Sequence, residues 1–158
     1  MHLYLLRHGD AVDEPGIPDR ERVLSPTGKQ QSDRVAQFCK RGGIRFDLIL
    51  SSPLTRARET AEAVVRAGLA SNISTTNVLL PTSTPSDIIA ELRVQTAGNV
   101  LLVGHQPLLG NCMAHFISAD GSANVEFKKG SLAHIELQHG VSAGRGMLHF
   151  LLLNDQMK

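Results

Sequence analysis

The chain opens with MHLYLLRHGD, residues 1–10. Leu3 to Leu6 form an unbroken apolar run that stops at Arg7-His8-Gly9. A short continuous apolar run bounded by a break is the pattern of a strand buried on both faces, as in a parallel sheet. Similar runs follow at FDLIL (46–50) and VLLV (100–103), the second closing on Gly104-His105-Gln106-Pro107. Between them lie helical patterns. Ser25-Pro26 offers a cap and a first-turn proline for a helix reaching about Arg41, with Val35, Phe38 and Cys39 on its apolar face and Gly42-Gly43 as its stop. Ser52-Pro53 repeats that start, and Leu54, Ala57, Ala61, Val64 and Val65 mark one helical face.

The remainder extends the alternation. Asp10 to Leu24 is a loop, and Ser74 to Leu80 reads as a third strand. A turn at Pro81 to Thr84 leads into a helix from about Pro85 to Thr96, with Ile88, Ile89 and Leu92 inward; another helix is expected over Leu108–Ile117. After Asp120-Gly121 the period changes to two, so Ser131–Leu137 and Met147–Leu153 are expected to pair as strands through Gly140–Gly146. Strand and helix in alternation predict a three-layer α/β/α sandwich with a mostly parallel central sheet, as one domain over residues 1–158.

Composition narrows the function. The chain has 158 residues, 42% hydrophobic and 20% charged, with a formal net charge of +1. Such a balance gives no drive towards nucleic acid or an anionic membrane, so an anion site has to be local. No stretch approaches the ~20 apolar residues of a membrane span, and the expected location is cytoplasmic. Cys39 and Cys112 are expected reduced and buried.

Ligands of parallel sheets bind beyond the carboxyl ends of the strands. Three such ends carry Arg7-His8-Gly9, Ser51-Ser52 with Arg56 nearby, and Gly104-His105. Two arginines and two histidines on one edge suit a phosphate pocket. Guanidinium forks match phosphate oxygens, a first-turn position favours anions, and a neutral histidine is a phosphoryl nucleophile. Taken alone, the residues leave other readings open: structural histidines, or a metal site, although the neighbouring cations oppose a metal and the histidines lack a compact ligand spacing. His2, His115, His134, His139 and His149 match no motif and read as structural or surface residues, Arg58 as a surface charge, and Glu59 as solvated or arginine-paired.

Four ordered segments resemble one family. LLRHGDA is similar to the Arg-His-Gly signature of the histidine phosphatase superfamily, also called phosphoglycerate mutase-like. LSPTGKQQ resembles its L-T-x-x-G-x-x-Q segment, SSPLTRARETAE its S-P-x-x-R-A-x-x-T-A segment, and LLVGHQP the segment with its second histidine. The short length and the Arg22-containing ERVLSPTG resemble the SixA-type phosphohistidine phosphatases more than the longer mutases. The resemblance implies a phosphoglycerate mutase-like fold and a phosphatase without metal or other cofactor. It implies His8 as nucleophile, Arg7 and Arg56 as phosphate clamps, a protonated His105 as the second histidine, and Arg22 as a loop arginine reaching the phosphate. Asp10 takes no catalytic role.

The implied substrate is protein phosphohistidine or a small phosphorylated compound. A phosphomonoesterase, a mutase or an inactive phosphate-binding module on the same scaffold stand as alternatives. One absence favours a P–N substrate. Longer members of the family supply a carboxylate general acid from the region after the third strand, whereas Val78 to Ser86, VLLPTSTPS, has none. Asp87 and Glu91 follow on the predicted helix.

Overall fold

Strand β1 (His2–Arg7) sits inside a six-stranded sheet of order β3-β2-β4-β1-β5-β6. The computed structural model describes residues 1–158. The other strands are β2 (Leu48–Ser51), β3 (Ser74–Thr75), β4 (Asn99–Gly104), β5 (Leu132–Leu137) and β6 (Gly146–Leu152). Strands β3, β2, β4 and β1 run parallel; β5 is antiparallel to β1 and to β6. The helices are α1 (Pro26–Arg41), α2 (Thr55–Arg66), α3 (Pro85–Arg93) and α4 (Leu108–Ile117).

Alternation along the strands makes two cores. Leu3 and Leu5 of β1 pack with Ile88 and Leu92 of α3 and with Leu109 and Met113 of α4. Tyr4 and Leu6 face the opposite way, towards Val35 of α1 and Ala57, Ala61 and Val64 of α2. The result is the expected three-layer sandwich, with α1 and α2 on one face and α3 and α4 on the other. Cys39 and Cys112 are free and buried in different cores, and burial pushes both thiols up to about 12. No helix is long and apolar enough to cross a membrane.

Local signals explain most boundaries. Ser25 Oγ accepts from the Gly28 amide at the start of α1, and Gly43, at φ +66°, turns the chain after its end in a conformation that favours glycine. Thr84 and Asp87 form a capping box at α3.

Three expectations need correction. The third strand is two residues long, because Thr76 Oγ1 accepts from the Val78 amide and turns Asn77–Leu79 into a 3-10 helix that buries Leu79. The α3 helix ends at Arg93 instead of about Thr96. The α2 helix begins at Thr55 without a side-chain cap, since Ser52 lies before it and its hydroxyl is engaged elsewhere.

Candidate active site

The parallel register of β1 and β4 pairs Arg7 with Gly104, so both strands end together and release His8 and His105 side by side. The His8 amide donates to Gly104 O at 3.1 Å, continuing the ladder one residue beyond Arg7, and the ring centroids of His8 and His105 are 4.9 Å apart. From β2, Ser52 and then Arg56 in the first turn of α2 complete this edge.

The hydrogen bonds of His8 fix its tautomer. Its Nδ1 lies 2.6 Å from Gly9 O, which can only accept, so Nδ1 carries the proton. Arg56 Nε donates to His8 Nε2 at 3.3 Å, so Nε2 presents its lone pair. Burial pushes the His8 pKa down to about 4 against the raising hydrogen bond to Gly9, and the charges of Arg56, Arg7 and Lys129 lower it further. His8 is therefore neutral at pH 7.

His105 is also held down, at about 3, by burial and then by His8 and Arg56. Among the protein's own groups His105 is therefore neutral, and the expected protonated His105 belongs to the phosphate-bound site. Its Nε2 lies 2.8 Å from Ser52 Oγ, which accepts the Leu54 amide at 3.3 Å. When the serine hydroxyl donates to Nε2, the ring proton resides on Nδ1, an atom that is buried without a partner.

The arginines are positioned from several elements. Arg7 Nη1 donates to Phe127 O at 2.6 Å, and its buried Nε has no partner. Arg56, 6% exposed, donates through Nη1 to Asp19 O at 2.7 Å and through Nη2 to Asp19 Oδ2 at 3.2 Å. Arg22 donates through Nε to Val12 O and pairs with Asp19 at 3.3 Å, which keeps its head in the loop over the pocket. Arg7, His8, Arg22, Arg56 and His105 all line one cavity of about 320 Å³, with Lys129 on its wall.

Beneath the histidine, backbone replaces side chains. Thr60 Oγ1 accepts the Gly9 amide and donates to Arg56 O, tying the β1 turn to α2. Gly28, in the first turn of α1, lies against the backbone of Gly9 and Asp10 so tightly that neither glycine has room for a Cβ.

Several residues were missed or misread from sequence. Asp19 is a carboxylate in contact with the pocket; partial burial raises its pKa, but bonds and charges from Arg56 and Arg22 outweigh that and hold it below the usual range. Glu59 is half-buried and not arginine-paired: its Oε2 accepts the Leu24 amide at 2.6 Å and tethers the loop. Asp10 accepts from Ser25 Oγ and Lys129 Nζ, both at 2.6 Å. Asp87 and Glu91 of α3 are occupied by Thr84 and Gln95, which flank the helix. Ser52 has a visible signal, the Ser-Pro pair, but that pair predicts a helix cap, whereas the hydroxyl serves His105. Asp19 and Lys129 sit in loop segments whose approach no local pattern records. His134 stacks on Tyr4 and on His149, with His2 tilted against it, across β1, β5 and β6 and away from this cavity.

The chain is similar to known proteins in both sequence and architecture. Residues 3–77 match the histidine phosphatase superfamily (branch 1). An uncharacterized protein of Picosynechococcus sp. is 38% identical over 114 residues, 70% of this chain and 69% of its own length. The phosphohistidine phosphatase SixA of Escherichia coli is 28% identical over an alignment covering 100% of this chain and 97% of SixA. A solved structure of the protein histidine phosphatase SixA complexed with tungstate has a TM-score of 0.88 at 26% identity, over 100% of both chains. Shared sequence and shared architecture thus agree, and the chain belongs to the histidine phosphatase superfamily.

Proposed function

We propose that residues 1–158 act as one phosphatase domain that passes the phosphoryl group through His8 and acts on protein phosphohistidine or a related phosphoramidate. The observation that carries this reading is the His8 imidazole: neutral, proton on Nδ1, and Nε2 directed at a guanidinium. In the proposed reaction Nε2 attacks phosphorus in line and the leaving group departs. Arg7, Arg56 and Arg22 take the charge of the equatorial oxygens, the main task in phosphoryl transfer. The buried, unpartnered Nδ1 of His105 is a ready donor to one of those oxygens. A phosphate dianion opposes the charges of Arg56 and Arg7 that add to burial in holding His105 neutral, so this ring gains a proton more readily once substrate is bound. Water then hydrolyses phospho-His8.

The leaving group follows from proton supply. An alkoxide leaves poorly without a general acid, whose help is typically worth ~10²–10⁴-fold. Pro81 and Gln106, not carboxylates, line the pocket from the segments after β3 and β4, and Asp87 and Glu91 of α3 are engaged by Thr84 and Gln95, which flank that helix. Asp19 is ionised at neutral pH and has no proton to give. An imidazole leaving group needs no such residue, since its nitrogen takes a proton from water. This favours a phosphoramidate over a phosphomonoester. The relation to SixA, named for phosphohistidine, supports the same choice.

The test is a rapid-quench experiment with radiolabelled phosphoimidazole. Acid-labile phosphate should appear on the wild-type protein and be absent from His8→Ala, whose turnover should vanish. Hydrolysis of phosphohistidine peptides should exceed that of phosphoserine peptides by at least ~10²-fold in kcat/KM. Sustained turnover by His8→Ala rejects the covalent route, and equal rates on the two peptides reject the substrate class.

A further inference from the structure

The largest cavity of the molecule is not the one that holds His8. It has a volume of about 590 Å³ and lies beside the histidine pocket, the two sharing Arg7 and Lys129 on their walls. Gln30, Gln31 and Arg34 of α1 form one side, Lys128 and Glu126 another, and Asn154 lies near the chain's C-terminal end. A single lining residue, Leu153, is apolar.

This lining selects its occupant by chemistry. A hydrophobic ligand would find almost no apolar surface here. Of its carboxamides, Asn154 is spent on Arg34, Gln31 O and Gly130 O and Gln31 Oε1 on the Asp10 amide, which leaves exposed Gln30 to donate and accept along a peptide backbone. The wall carries four cations, Arg7, Arg34, Lys128 and Lys129, against two carboxylates, Glu126 and Asp155. Lys128 is exposed and enters none of the salt bridges, while Arg34 spends one nitrogen on Asn154 Oδ1. A small phosphoramidate is accommodated by the 320 Å³ pocket alone and leaves the neighbouring groove without a role.

We infer that this groove is a subsite for the polypeptide flanking the phosphorylated residue, and that it favours acidic flanks. The inference rests on the phosphatase reading above and narrows its substrate to a protein with carboxylates beside the phosphohistidine. Arg7, common to both cavities, then marks where phosphoryl recognition gives way to chain recognition. Arg34 and Lys128 contribute only to the second.

The experiment compares three substrates: a peptide with one phosphohistidine flanked by glutamates, the same peptide with glutamines in their place, and phosphoimidazole. At low salt the wild type should prefer the glutamate peptide by about tenfold in kcat/KM, mainly through KM, the size expected of two surface charge contacts. Lys128→Glu alone, and Lys128→Glu with Arg34→Glu, should erase that preference while phosphoimidazole hydrolysis stays within about twofold, since neither side chain lines the histidine pocket. The phosphoimidazole rate also reports that each variant is folded. Equal use of the two peptides by the wild type, or a preference that survives both charge reversals, overturns the subsite. No hydrolysis of any substrate by the wild type overturns the phosphatase reading itself, and the subsite with it.

Discussion

Arg56 spends all three of its guanidinium nitrogens at the site: one on His8 and two on Asp19. Arg56→Lys keeps a charge but loses the fork, so both the His8 contact and bidentate phosphate binding are lost. Arg56→Ala, and likewise Arg7→Ala, should lower kcat by ~10²-fold or more, the scale of one lost charge-stabilising donor; steady-state rates on phosphoimidazole check this. Asp19 has the opposite sense. Its carboxylate competes with a phosphate dianion for Arg56, and its backbone carbonyl keeps the guanidinium oriented without it. Asp19→Asn should therefore tighten inhibition by inorganic phosphate by about threefold to tenfold, a modest size because the carboxylate is mostly exposed. Weaker inhibition would mean that the charge of Asp19 serves orientation instead. The histidines and arginines were legible because short motifs announce them. Asp19 and Ser52 were not, since their roles depend on contacts across 37 and 53 positions of sequence.

The turn after β1 and the first turn of α1 touch through backbone alone. A Cβ on Gly28 would collide with Asp10 O, and one on Gly9 would lie 2.6 Å from Gly28 O. Gly28→Ala should thus cost on the order of 1–3 kcal/mol, the range of an overpacked core, and push the His8 turn away from α1. Thermal melts and kcat should fall together; a variant with wild-type Tm and rate would show that the contact relaxes freely. The same comparison explains which elements could be read from sequence. Helix α1 carries its cap, its proline and its terminal glycines, and its bounds follow. Strand β3 carries no equivalent signal: SNISTTNVLL has the β-branched residues of a strand, yet Thr76 uses its hydroxyl to turn the chain. Helix α2 was legible by its apolar face but not by its start, because the serine that looked like a cap serves His105.

Acid should reach the whole molecule through its buried histidines. His8 and His105 titrate at about 4 and about 3 when folded, against 6.5 in an exposed chain. Between those values the unfolded chain binds more protons, so the stabilisation is fully present above pH ~6.5 and is lost as pH falls towards 4. By pH 5 each histidine should account for about 2 kcal/mol of lost stability. Urea midpoints at pH 7.5 and 5 measure it, and His8→Gln with His105→Gln should shrink the difference, leaving the share of His134, whose pKa burial also lowers to about 4; an equal drop in that double variant would assign it elsewhere. Parallel strands and two helical layers could be read from the alternation of patterns, but the insertion of β4 between β2 and β1 could not, because strand order leaves no local trace. That insertion also governs how the site moves. The His8 amide is held by Gly104 O, and its carbonyl accepts from Gly130 N, so the nucleophile belongs to the central ladder and not to a loop. Deuterium should enter the His8 amide about as slowly as it enters the core strands, through global opening alone, while the Asp13–Arg20 segment above it exchanges in local fluctuations. The chemistry would then keep a fixed floor beside a loop that breathes independently of it.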